Sequence, residues 1–214
     1  MVLTLGITLL SCLGAKTSPT PTSTQIPVPT ATQGAPEIPD PAPVAVTNPR
    51  PVVFPDDETP HDNALEWWYY NGHLIDEAGG EYGFHFVVFQ GRTDDAGVGY
   101  MAHTGLSYLA AGTHDQAGRF SFGEQARQPS DGFDFIIEDW TLNGSPGLHA
   151  LTTSIDDRSV ELIMLPTKRA VLHDEDGFLE SADGWTYYYS WTRMEAAGTI
   201  SLHDGDRQVT GTAW

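Results

Sequence analysis

From Phe54 onward, apolar and polar residues alternate over short stretches, the two-residue period of a strand with one face buried. The pattern predicts strands at Leu65–Leu74, Glu81–Gln90, Val98–Leu109, Arg119–Phe122, Phe133–Leu142, Leu148–Ile155, Ser159–Leu165, Thr186–Met194, Thr199–Leu202 and Gln208–Trp214. Turn-forming groups separate them: Glu77-Ala78-Gly79-Gly80, Asp94-Asp95-Ala96-Gly97, Asn143-Gly144, Asp156-Asp157, Asp183-Gly184 and Asp204-Gly205. No stretch carries the 3.6-residue period of an amphipathic helix, and no repeat of 20–50 residues recurs. About ten short strands at this spacing predict an all-β domain, an antiparallel barrel or sandwich. The last predicted strand runs to Trp214, and an unpaired edge is a liability, so the sequence is expected to be C-terminally incomplete.

The chain before Phe54 has another character. Val2–Gly14 is a short apolar run with the length of a secretory core, too short for the ~18 residues that span a bilayer. Within it, Leu9-Leu10-Ser11-Cys12 has the form of a bacterial lipobox, in which Cys12 would carry the lipid. Residues 1–16 are therefore expected to be a signal peptide with lipobox. The membrane would be met only through a lipid anchor. Residues 17–53 are rich in Pro, Thr, Ala and Ser, a composition suited to an extended tether. The β domain is assigned to 54–214, outside the cytoplasm.

Composition narrows the function. Six Trp, eight Tyr and nine Phe supply a core and exclude disorder for this second part. The formal net charge is −19 with ten Lys plus Arg, which repels phosphate backbones and excludes nucleic acid as a partner. The single cysteine, Cys12, lies before the domain, so the fold has no disulfide and no thiolate chemistry. Nucleophile-elbow and phosphate-loop motifs are missing, and no cofactor is expected.

The densest chemistry lies in His61-Asp62-Asn63-Ala64-Leu65-Glu66-Trp67-Trp68-Tyr69-Tyr70-Asn71-Gly72-His73-Leu74. As a strand, it turns Glu66, Trp68 and Tyr70 to one face and Trp67 and Tyr69 to the other. Burial beside aromatics would raise the pKa of Glu66 and suit it to general-acid work, although a structural Glu paired with Arg or amides fits equally. His73 closes this strand, His85 shares a face with Val87 and Phe89, and His103 with Met101. Each is a candidate acid–base group or a satisfied structural histidine. These four residues could supply metal ligands, but no short-range ligand pair occurs and no metal is assigned. A second aromatic cluster, Trp185–Met194, turns Tyr187, Tyr189 and Trp191 one way and Tyr188 the other. Trp67, Trp68, Tyr69, Phe89, Tyr188, Trp191 and Arg193 form the candidate ligand-binding set. Arg193 is a candidate internal partner for Glu66. Such walls suit an elongated hydrophobic small molecule, or simply a packed core.

The run His61…Leu65-Glu66-Trp67-Trp68-Tyr69…Gly72-His73-Leu74 resembles the opening signature of the AttH/carotenoid 1,2-hydratase family. The segment Tyr188-Tyr189-Ser190…Thr192-Arg193-Met194…Gly198-Thr199-Ile200…Val209-Thr210-Gly211-Thr212-Ala213-Trp214 resembles a second block of that family. In the family the chain continues from this Trp into a Met-Asp-His-Glu-type motif. The resemblance covers about residues 54–214. It implies a lipocalin-like fold, with this domain the first of two that pack together around a ligand cavity. It also implies alkene hydration on a carotenoid or isoprenoid, for which a protonated carboxyl and cation-tolerant aromatic faces are needed. Three roles stay open at this point: acid–base chemistry on a hydrophobic alkene, carriage of a lipophilic ligand without turnover, or a structural surface domain. An ionisable group at the depth of a cavity would mark the enzyme, and an apolar floor the carrier.

Overall fold

The computed structural model describes residues 49–93, 95, 97–123, 126–127, 132–181 and 184–214. The signal, the lipobox with Cys12 and most of the tether lie outside the described residues. Eleven strands form one antiparallel sheet: β1 (Leu65–Asp76), β2 (Glu81–Thr93), β3 (Gly97–Tyr108), β4 (Thr113–Phe122), β5 (Ala126–Arg127), β6 (Phe133–Ile137), β7 (Trp140–Ser145), β8 (Leu148–Ile155), β9 (Arg158–Pro166), β14 (Met194–Leu202) and β15 (Gly205–Ala213). Two short pairs stand apart, β10 (Val171–Leu172) with β13 (Tyr189–Ser190) and β11 (Phe178–Ser181) with β12 (Gly184–Tyr187).

The spatial order is β4-β3-β2-β1-β15-β14-β9-β8-β7-β6-β5, so β1 pairs with the last strand and the sheet curls toward closure. Its two halves meet where Thr104 of β3 approaches Thr153 of β8, with hydroxyls 3.3 Å apart. Ion pairs from Arg158 to Asp115 and from Arg119 to Asp139 add to that seam. The result is the expected all-β, lipocalin-like barrel.

Alternation explains the interior. Tyr70, Phe84, Phe86, Val88 and Tyr100 point inward from β1–β3 and meet Phe135, Leu142, Leu151, Met164 and Ile200 from the far wall. Their neighbours in sequence face outward. Gly72 of the signature run is required by packing: a Cβ there would lie 2.3 Å from the Phe84 ring. The middle of the barrel is therefore filled, and a cavity lies at one end.

Several element boundaries differ from the sequence expectation. The segment expected as one strand over Phe133–Leu142 is a hairpin, β6 and β7, turning at Glu138-Asp139 with Glu138 at φ 55°. Acidic residues tolerate that left-handed backbone, so the turn hides in a sequence without glycine. The segment expected over Thr186–Met194 is broken into β12, β13 and the start of β14. Its aromatic side chains fold over the barrel end instead of joining the main sheet. Residues 50–53, assigned to the tether, contribute Arg50 and Val52 to that same end.

Candidate functional site

The cavity occupies the end of the barrel where β1, β6, β8 and β14 begin. Residues 50–64 cross this end from one side and 185–191 from the other. The cavity encloses about 550 Å³. Trp68, Tyr70, Phe133, His149, Tyr189, Trp191 and Met194 form its deep wall, and His61, Glu66, Trp67, Tyr69 and Tyr188 line the approach.

Behind the deep wall lies Glu58, on a short 3-10 turn over Asp56–Glu58, only 2% exposed. Trp68 donates its indole N–H to the Glu58 carbonyl (3.1 Å), and Trp191 donates to Glu58 Oε1 (2.8 Å). Burial pushes the Glu58 carboxyl upward, and the Trp191 hydrogen bond offsets this only in part. His149, also 2% exposed, shares Nδ1 with the Tyr70 hydroxyl at 2.7 Å. Its Nε2 has no hydrogen-bond partner and lies 3.8 Å from Glu58 Oε1. Burial lowers the imidazole to about 4, leaving it neutral near pH 7. Burial also raises the Tyr70 and Tyr189 phenols.

Nearer the mouth, Glu66 is the centre of a different network. It accepts from the His61 backbone N–H (2.7 Å), from Asn63 Nδ2 (3.0 Å) and from Gln90 Nε2 (3.3 Å), and pairs with His61 Nδ1 at 2.7 Å. The other ring nitrogen of His61, Nε2, stands 3.6 Å from Asp57. The hydrogen bond to Glu66 is the main reason the His61 imidazole is raised above its ordinary range, outweighing desolvation, with Asp57 adding to it. Burial alone would lift the Asp57 carboxyl, but the Arg50 guanidinium and the Val53 amide hold it below the usual range. The arrangement is an imidazole clasped between two carboxylates, which favour its protonated form, on the wall of an aromatic cavity.

The family described as AttH-like matches residues 45–214. The chain belongs to the AttH-like family. A crystal structure of an AttH protein of Nitrosomonas europaea is similar with 28% identity and a TM-score of 0.71, over 81% of this chain and 56% of that one. Kievitone hydratase of Nectria haematococca is similar in fold, with 11% identity and a TM-score of 0.59, over 77% of this chain and 51% of that one. The chain thus spans about half the length of both solved structures. Among curated proteins, none matches the chain.

In this AttH-like domain, Trp67, Trp68, Tyr69, Tyr188 and Trp191 gather with Glu66 around the barrel-end cavity. The Tyr69 and Tyr188 hydroxyls meet at 2.8 Å, and Tyr188 stacks on His173 at 4.0 Å between ring centres. The three histidines proposed as acid–base groups are elsewhere. His73 is exposed on the outer face, its ring 5.8 Å from that of Trp214. His85 and His103, with ring centres 5.4 Å apart, lie with Phe89, Met101 and Phe120 in an apolar groove on the outside of the sheet. Strand parity accounts for this, because His73, His85 and His103 are in phase with the outward positions of β1, β2 and β3. Arg193 is exposed and does not contact Glu66, whose partners are His61, Asn63 and Gln90; local loop donors take the place expected for a cross-strand arginine. Among the described residues, no group of His, Cys, Asp or Glu is placed to hold a metal ion, and no helix is long and apolar enough to cross a membrane.

Four residues of the site carried no assignment from sequence: Asp57, Glu58, His61 and His149. Asp57 and Glu58 sit in an acidic, proline-flanked stretch at the start of the β domain, ahead of the first predicted strand. His149 is in phase with Leu151 and Ile155, a lone histidine on an inward strand face. Its signal is that phase alone.

The two site histidines bias stability with pH in opposite directions. His61 is raised in the folded state, so its contribution is complete below the unfolded value near 6.5 and fades as pH rises through the folded value. His149 is lowered to about 4, so between about 4 and 6.5 the unfolded chain binds a proton that the fold excludes, and stability falls on acidification. Urea midpoints measured at pH 5 and pH 8 are expected to show His61→Asn costing more at pH 5. His149→Phe should remove part of the acid loss. Equal pH profiles for wild type and both variants would refute the assignment.

Proposed function

We propose that this AttH-like domain takes a hydrophobic, alkene-bearing molecule of isoprenoid type into the barrel-end cavity and hydrates it by acid–base chemistry. The observation that supports this most is His61 held between Glu66 and Asp57 on the cavity wall. The fold shared with a hydratase accords with it. Glu66, engaged by four donor groups, acts as the partner that keeps His61 protonated, and His61 takes the role of acid.

The reaction balances without any further reagent. The His61 Nε2 proton adds to one alkene carbon, and the more substituted carbon becomes cationic between the faces of Trp68 and Trp191. Water adds its oxygen there, and the proton it loses returns to His61. The product is an alcohol. Loops that exclude bulk water strengthen these charges. We further propose that the Leu9–Cys12 lipobox anchors the full protein outside the cytoplasm. A second domain of the full protein would complete the cavity.

The test is incubation of the full-length protein with β-citronellol in H₂¹⁸O, followed by mass spectrometry. Enzyme-dependent ¹⁸O incorporation into a diol supports hydration. A panel of isoprenoid alkenes that binds tightly and is returned unchanged would instead make the domain a carrier.

A further inference from the structure

His149 in the deep wall of the cavity and Glu58 directly behind it form a polar pair that the hydration chemistry at His61 does not use. His149 Nε2 is buried, lines the cavity and has no hydrogen-bond partner. Phe133 packs edge-on to its ring at 5.5 Å and Tyr70 at 5.7 Å, so a phenylalanine would fill the same space. The Tyr70 hydroxyl accounts for Nδ1, but nothing in the packing accounts for Nε2, and burying that nitrogen unpaired is costly. Beside it, Glu58 Oε1 holds the Trp191 N–H on one side and leaves the His149 side open at 3.8 Å, too far for a direct hydrogen bond.

The geometry points to a binding site for a neutral hydroxyl group at the leading end of an otherwise apolar ligand, an alcohol or phenol, held jointly by His149 Nε2 and Glu58 Oε1. An oxygen about 2.8 Å from each atom closes a triangle on two atoms at that separation. With the Tyr70 hydroxyl donating to Nδ1, Nε2 carries the ring proton, so a ligand hydroxyl accepts from Nε2 and donates to Glu58 Oε1, using both of its capacities. A carbonyl only accepts, and a carboxylate or phosphate would meet Glu58 unfavourably. The surrounding Trp68, Phe133, Trp191 and Met194 then contact the apolar remainder. The inference rests on the cavity being a ligand site, as proposed above, and is independent of whether that site is catalytic.

The experiment uses the full chain and two matched probes, 2-naphthol and naphthalene, in equilibrium dialysis. Wild type is expected to bind 2-naphthol about tenfold more tightly than naphthalene. His149→Phe and Glu58→Gln should each reduce the roughly tenfold preference for 2-naphthol over naphthalene toward one. In wild type, 2-naphthol and not naphthalene should shift the ¹⁵N resonance of His149 Nε2, a readout that does not depend on either variant folding. Equal binding of the two probes, with no shift at His149, overturns the hydroxyl site alone. Failure of both probes to bind overturns it together with the cavity as a ligand site.

Discussion

A Glu66→Gln protein is expected to keep its fold and lose about 10²- to 10⁴-fold in kcat/KM for alkene hydration, the usual range for removing a general acid–base contribution. The carboxylate is the nearest charge to His61 and the main cause of its raised imidazole. An amide in its place retains the shape but offers one acceptor oxygen where two are used by four donors. His61→Phe, which removes the proton itself, should lose at least as much. Loss of activity alone would not separate chemistry from a disturbed loop, so the pH profile is the decisive readout. In wild type, activity should persist until His61 deprotonates, above its ordinary 6.5. In Glu66→Gln, the residual activity should fall off at lower pH, because the imidazolium has lost its principal partner. Asp57→Asn should move the profile in the same direction by less, as Asp57 stands at 3.6 Å and is already paired to Arg50. A Glu66→Gln protein with wild-type turnover and an unmoved profile would end the assignment of His61 as acid.

What could be read from the sequence follows the physics of strands. Period-two alternation located β1, β2 and β8 and sorted each into two faces, with both ends of β8 as expected and β1 and β2 running two and three residues further, because in a barrel with a filled core a one-residue slip exposes every core side chain. It also separated Trp68 and Tyr70 from Trp67 and Tyr69. The same parity was available for His73, His85 and His103, yet which face is inward cannot be known from one strand when both faces carry aromatics. Glu66 sits opposite Gln90 across the β1–β2 ladder, and both point inward at the barrel mouth. That environment is polar, unlike the greasy one its tryptophan neighbours suggest. Glu58 was illegible for another reason. A buried carboxylate needs specific partners, and its own are Trp191, far along the chain, and the cavity wall. Only tertiary structure brings them together. The two glutamates differ in surroundings: Glu66 is met by four donor groups, whereas Glu58 is buried among aromatic rings, which raises its carboxyl.

The opposite end of the barrel should govern stability without touching the site. Trp140, 1% exposed, opens β7 immediately after the Glu138-Asp139 turn. Its ring packs against Phe86 at 6.2 Å, with the Arg119 guanidinium 4.5 Å from its centre. Its N–H donates to Ser154 Oγ at 3.0 Å, Ser154 donates to Asp139 at 2.7 Å, and Arg119 binds the other Asp139 oxygen at 2.8 Å. One indole therefore joins β4, β7 and β8 across the seam where the sheet closes. Trp140→Ala is expected to cost about 3–5 kcal/mol, the range for emptying a buried aromatic site, whereas Ser154→Ala should cost about 1–2 kcal/mol for its two hydrogen bonds. Urea denaturation measures both. The larger loss should come with faster amide exchange in β4, the free edge strand whose Phe120 and Phe122 are already exposed, because that strand depends on the seam to stay docked. Phe133 and His149 begin β6 and β8 at the cavity end, whereas Ile137 and Ile155 end them beside Trp140. Under conditions where the variant is folded, His61 should therefore titrate as in wild type. A loss below about 1 kcal/mol would mean that the barrel closes without this residue, and a shifted His61 would mean that the two ends of the barrel are coupled.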